Sequence, residues 1–341
     1  MQSLLFTPLK IGDLQIKNRV VMPPMCMYKA KNENGQPRCF HRLHYAARAL
    51  GGVGLIIVEA TAVEPRGRIT SCDLGLWNDE QLEAHARLVK ECVKYGAAMV
   101  VQLAHAGRKS ECDDLIAPSA VKFSESYKTP RQMSADDIVA VKQAFVQAAI
   151  RAQSAGYAAI EIHAAHGYLI SEFLSPGINL RDDEYGGSFE NRTRFLKEIL
   201  SEIKAAVKIP AGVRISADSW VKGDWSLEDS VRLARELEAL GAAFIHVSAG
   251  GLFERTDSAP AFTPLYQASY AKAVKQAVSI PVIAVGLITK ASEGEALLLS
   301  GVCDAVAYGR ELLRNPNFAQ AAMSELGCAE LIENSYKRAF K

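Results

Sequence analysis

A histidine at position 163, a second at 166 and a tyrosine at 168 follow an apolar run in AAIEIHAAHGYLISEFLSP, Ala158 to Pro176. Two imidazoles and a phenol this close can make a metal clip, a packed corner, or a set of hydrogen-bond donors aimed at one small molecule. The His-x-x-His spacing would offer two zinc ligands, but no third is evident nearby, and the seven cysteines are scattered without a C-x-x-C pair. His41 and His44 repeat the spacing inside an expected helix and read as a partly solvated helix face. His163 differs from them because it ends a run of strand character.

Short apolar runs rich in Val, Ile and Ala recur near Val20–Met22, Gly54–Ala60, Ala98–Leu103, Ala158–His163, Ala211–Ile215, Phe244–Ser248, Pro281–Val285 and Ala305–Tyr308. Continuous runs of this kind suit parallel strands buried on both faces. Amphipathic segments lie between them. NRTRFLKEILSEIKAAV places Phe195, Ile199 and Ile203 on one stripe, with Leu196, Leu200 and Val207 beside it. SLEDSVRLARELEALGA opens on Ser226 as an N-cap and closes at Gly241. Eight strand–helix alternations predict a single α/β domain over 1–341, a (β/α)8 TIM barrel. LKIGDLQIKN before the first strand predicts a β-hairpin turning at Gly12-Asp13 and plugging the barrel floor.

The chain exceeds a typical barrel of about 250 residues. The excess falls in Met25–His41, His105–Pro130 and Ala164–Ser188, all following strands, so all are expected as long loops on the C-terminal face, where such enzymes carry their chemistry. That face would then hold Pro24, Met25, Cys26 and Tyr28 from strand one, Ala60 from strand two, and Gln102 and His105 from strand three. It would also hold His163, His166 and Tyr168 from strand four, Arg214 from five, Ser248 and Gly250 from six, Gly286 from seven, and Gly309 and Arg310 from eight. Glycines after strands seven and eight fit a phosphate site, since bare amides can approach an anion closely, though they can also simply turn the chain. The glycines of GGVGLIIVEA precede a strand, the reverse of a dinucleotide fingerprint, so a mononucleotide is the better expectation. Alternation places Glu161 inward one layer below His163, and Arg214 inward from the next strand; a buried carboxylate needs a partner, so a Glu161–Arg214 contact is expected.

Composition bounds the function. The net charge is +1, 49% of residues are hydrophobic and 23% charged. No bulk field favours nucleic acid or an anionic membrane, no apolar run reaches the roughly 18 residues of a span, and the N-terminus lacks a secretory pattern. Unpaired cysteines point to a reducing cytoplasm, with Cys92 and Cys303 as core packing.

The longer motifs resemble the old yellow enzymes, flavin-dependent ene-reductases. NLRDDEYGGSFENRTRF (Asn179–Phe195) is similar almost residue for residue to that family's N-x-R-x-D-x-Y-G-G-S-x-E-N-R-x-R-F stretch, and EIHAAHGYLISEFLSP resembles its strand-four motif. PMCMY, QLAHAGRKS and the closing YKRAF resemble the thermophilic-like (class III) subgroup, which has a cysteine where others have threonine. The resemblance implies non-covalent FMN, NADPH or NADH as electron donor, and transfer of a hydride to the β-carbon of an activated alkene. It implies that His163 and His166 bind the substrate's carbonyl or nitro oxygen and that Tyr168 protonates the α-carbon. Pro24, Met25, Cys26, Ala60, Gln102, Arg214, Gly286, Gly309 and Arg310 would hold FMN, with Cys26 tuning its potential and Arg214 offsetting negative charge on the reduced ring. Tyr28 would line the substrate side, and Arg338, in a C-terminal tail (329–341), would reach the site of a neighbouring subunit in a homodimer or homotetramer. His105 and Lys109 could touch substrate or nicotinamide, or Lys109 could be a solvated loop charge. A metal-dependent barrel hydrolase using His163 and His166, a non-catalytic flavin-binding protein, and the longer dienoyl-CoA reductase type are the alternatives.

Overall fold

In a computed structural model, residues 3–30 and 34–340 are described. Positions 31–33 of the Met25–His41 connection, and the ends of the expected 1–341 domain and 329–341 tail, lie outside the described residues. Eight parallel strands close on themselves: β1 (Val20–Met22), β2 (Leu55–Ala62), β3 (Ala98–Ala104), β4 (Ala159–Ala164), β5 (Ala211–Ser216), β6 (Ile245–Ser248), β7 (Val282–Ala284) and β8 (Ala305–Ala307). β8 pairs with β1, and β1 with β2, which shuts the barrel. The helices expected from the two amphipathic segments are Phe189–Ala206 and Leu227–Ala239; in the second the Ser226 side chain accepts from the Asp229 amide. Among the described residues no helix is long and apolar enough to cross a membrane.

Strand alternation sorts the core into two shells. Val20, Ile56, Val58, Met99, Ile160 and Ile162 face the helices. Val21, Leu55, Ile57, Val100, Ala159, Phe244 and Ile283 face the barrel axis and meet Ile11 and Ile16 of the hairpin Leu9–Ile11/Leu14–Ile16, which closes the floor as expected. Phe244 fills the interior across Gly212, where a Cβ would collide with its ring. Above this layer the same faces carry polar groups.

The sequence reading undercounts the loops. The connection 249–267 after β6 is also long, and Phe262 within it packs on the rings of Trp220 and Tyr266. His41 and His44 need correction too. Both are buried, because the helix Cys39–Leu50 lies flat against β2 and not with that face to solvent. His41 Nδ1 accepts from the Arg38 amide at 2.9 Å, and its Nε2 lies 3.6 Å from Glu59. Burial holds His41 down at about 4 and His44 at about 3.

Candidate active site

β4 delivers its side chains to the mouth by simple alternation: Ala159 in the apolar floor, Glu161 above it, His163 at the rim. The chain then turns sharply. His166 adopts a left-handed φ of 62° and Gly167 one of 72°, so that Tyr168 caps the short helix Leu169–Leu174. The turn brings three rings together. The centroids of His163 and His166 are 5.3 Å apart and those of His163 and Tyr168 5.1 Å, each pair edge to face. The Tyr168 hydroxyl makes no hydrogen bond to a described residue.

The imidazoles are held neutral. Burial, then the charge of Arg214, pushes both well below the ordinary histidine value. The Ala165 amide donates to Nδ1 of His163 at 3.3 Å, which leaves its one ring proton on Nε2. Nε2 of His166 lies 2.8 Å from the Ser248 hydroxyl, and its backbone amide donates to Ser216 Oγ at 2.9 Å. Burial raises Tyr168, so its phenol keeps its proton well beyond neutral pH.

Arg214 stands beside His163 in the β4–β5 register and is 7% exposed, yet it makes no hydrogen bond and no ion pair with a described residue; its buried Nε is without a partner. The expected Glu161–Arg214 contact is therefore not formed. Register explains it: Glu161 lies opposite Gly212, one layer below Arg214, and is held by Gln102 Nε2 at 2.7 Å and His246 Nδ1 at 2.7 Å. A buried guanidinium without an acceptor is costly, which marks Arg214 as waiting for an electron-rich group.

Of the other expected residues, Ala60, Gly286, Gly309 and Arg310 line two recesses, and Pro24, Met25, Cys26, Tyr28, Gln102 and Arg338 line neither. Ala60, Ala62, Gly67, Ile69, Asp73, Ala104, Ala106, His163 and Tyr168 line a narrow one. Ala60 gets there because the β2–β3 register shifts between Val58 and Thr61, which turns Glu59 outward onto Tyr45 and the Met27 amide. A second cavity, of about 260 Å³, is walled by Arg214, Ser248, Tyr266, Gly286, Gly309, Arg310 and Arg314 among others. Gly309 approaches Met25, whose Sδ would lie 3.7 Å from an added Cβ. Cys26 is a thiol raised by burial and by Asp73 and Glu59. Tyr28 is half exposed, with a left-handed φ of 52° and its phenol pushed up to about 12 by burial. Arg338 is exposed in the one-turn helix Lys337–Phe340 and makes no hydrogen bond or ion pair with these groups among the described residues.

FMN, which the resemblance implies, is a flat ring system with a phosphate tail. The donors fit it: an unpartnered buried arginine for the ring, and arginines with glycine backbones at the start of a helix for the phosphate. Two residues that carry weight escaped the sequence reading. Ser216 follows Arg214 at the strand period of two, which was a usable signal; Asp73 sits in an irregular loop, where no period points. Lys109 is no solvated charge: its Nζ donates to the carbonyls of His166 and Gly251. His105 is 1% exposed and bonds Glu64 at 2.9 Å, facing a neighbouring side chain.

The family model described as NADH:flavin oxidoreductase / NADH oxidase matches residues 4–327. An NADPH dehydrogenase of Bacillus subtilis (strain 168) is 46% identical over 327 residues, 96% of each chain. Among solved structures, morphinone reductase superposes with a TM-score of 0.81 at 29% identity, over 96% of this chain and 90% of that one. A 2-naphthoyl-CoA reductase in complex with 2-naphthoyl-CoA gives a TM-score of 0.88 at 25% identity, over 96% of this chain but 53% of that one, so the present chain spans about half of that longer enzyme. With the barrel, the anion-ready cavity and these likenesses in hand, the chain belongs to the NADH:flavin oxidoreductase / NADH oxidase family, the old yellow enzymes, and is an FMN-dependent NAD(P)H dehydrogenase.

Proposed function

We propose that this dehydrogenase is an ene-reductase of the thermophilic-like subgroup, reducing alkenes activated by a carbonyl, imide or nitro group. The observation that carries the reading is the convergence of two neutral imidazoles and a free phenol at one rim of the mouth. Bound FMN would supply the hydride chemistry, taking a hydride from NADPH or NADH and delivering one to the β-carbon. The chain's own groups do the rest. His163 Nε2–H binds the activating oxygen. With the Ser248 hydroxyl as the donor to His166 Nε2, Nδ1, which meets no described partner, would carry the second donating proton. Together they stabilise negative charge where it develops on that oxygen, as an oxyanion hole does. Tyr168 holds the proton destined for the α-carbon.

Arg214 and Gln102 would hold the ring, with Pro24, Met25, Cys26 and Ala60 around it. Gly286, Gly309 and Arg310 would hold the phosphate. Tyr28 would line the substrate side, and Arg338 would come from a neighbouring subunit of a homodimer or homotetramer. The test is optical. Yellow holoprotein should bleach with NADPH under anaerobic conditions and recolour on adding 2-cyclohexenone, a maleimide or a nitroalkene. Protein that bleaches but recolours only with oxygen contradicts the substrate class.

A further inference from the structure

Lys109 sits where three loops meet. Its Nζ donates to the carbonyl of His166, in the loop after β4, at 2.9 Å, and to that of Gly251, in the loop after β6, at 3.2 Å; Lys109 itself belongs to the loop after β3. The two gripped loops pack backbone to backbone. A Cβ on Gly167 would strike the Gly251 carbonyl, and one on Gly251 would lie 2.9 Å from His166 Cα. Both gripped stretches are left-handed, at φ 62° for His166 and 84° for Gly251, so neither carbonyl lies in a regular hydrogen-bond ladder. The ammonium also stands 5.0 Å from the ring centre of Tyr168 and 4.5 Å from that of Phe123.

No carboxylate forms an ion pair with Lys109 among the described residues. Glu172, the acid whose field reaches it, accepts from the Arg108 amide at 2.9 Å. Burial lowers Lys109 to about 8. A desolvated ammonium with carbonyl dipoles as its partners binds them firmly, because the alternative is an unsatisfied charge.

We propose that Lys109 is a positioning residue for the reaction: its ammonium locks the left-handed turn at His166 against the Gly251 loop and so sets where the His166 ring meets the substrate oxygen. The inference rests on the reading of His163 and His166 as oxygen-binding donors. A misplacement of a donor by a fraction of an ångström is enough to slow such a step.

A double-mutant cycle separates this from a merely structural role. Holoenzyme carrying Lys109→Met, His166→Ala or both is bleached with NADPH, and recolouring by 2-cyclohexenone is timed in a single turnover. Lys109→Met should slow it about tenfold in the native background and less than about twofold in the His166→Ala background, because the lysine acts through that ring. Lys109→Arg, which keeps charge and donors, should recover most of the rate. If Lys109→Met does not retain FMN, Lys109→Gln takes its place in the same cycle. Equal losses in both backgrounds, or none in either, overturn the assignment while leaving the histidine reading intact. A His166→Ala variant with full enone turnover overturns both.

Discussion

At the floor of the barrel Ile11, Ile16, Phe244 and Ile283 fill the interior with hydrocarbon; at the mouth the same strand faces carry Gln102, Glu161, His163, Arg214 and His246. The backbone differs in the same sense. Among the described residues, the non-glycine positions with left-handed φ are Tyr28, His166, Trp220, Leu265 and Leu287, and all lie in connections leaving the C-terminal ends of strands. Such conformations cost of order 1–3 kcal/mol each. Buried acids with raised protons cluster there as well: desolvation lifts Asp73 to about 6, Glu59 to about 7 and Glu172 to about 8. One end of a single fold thus carries the packing, and the other carries the strained backbone and the buried titratable groups.

Mutations at the two ends should therefore separate chemistry from stability. Tyr168→Phe removes the proton donor and no packing; stopped-flow recolouring by an enone should slow by about 10²–10⁴-fold, while NADPH bleaching and the melting temperature stay close to native. An unchanged recolouring rate would break the contrast. Phe244→Ala empties the floor and should cost about 3–5 kcal/mol in urea unfolding, with turnover by the remaining folded holoenzyme close to native.

Glu59→Gln sharpens the comparison through pH. Folded, Glu59 keeps its proton up to about pH 7, against 4.5 for the free side chain, so folding takes up a proton between those values. Stability therefore falls as pH rises from about 4.5 to about 7 and levels off above. The glutamine variant should lose that component of the slope, seen as a flatter curve of unfolding free energy against pH across the window; a curve parallel to the native one would show that Glu59 titrates normally. The smallest effect is expected from Ile16→Val in the plug, about 0.5–1.5 kcal/mol with unaltered kinetics.

Most of the barrel was legible because parallel strands buried on both faces leave continuous Val/Ile/Ala runs, and each of the eight appears within a few residues of its expected place. The site was legible where it obeys alternation, as at Glu161 and His163. It was not where alternation breaks: nothing in GLIIVEA announces the register shift that turns Glu59 out and Ala60 in. Pairing between inward residues also depends on stagger between strands, which is why Glu161 was expected on Arg214 and is found on Gln102 and His246. His41 shows a third limit, since helical spacing gives a face but not what covers it. The loop after β6 left one signal unread, the Gly250-Gly251 pair followed by prolines at 260 and 264, a pattern that marks a long irregular connection.

The central claim is that His163 and His166 act as paired neutral donors to the substrate oxygen. Its most direct test is a single-turnover comparison of native and His163→Ala/His166→Ala holoenzyme, each loaded with FMN, bleached with NADPH and mixed with 2-cyclohexenone. The account expects the variant to bind FMN and to recolour some 10²–10³-fold more slowly at equal enone concentration. Recolouring at the native rate would contradict it.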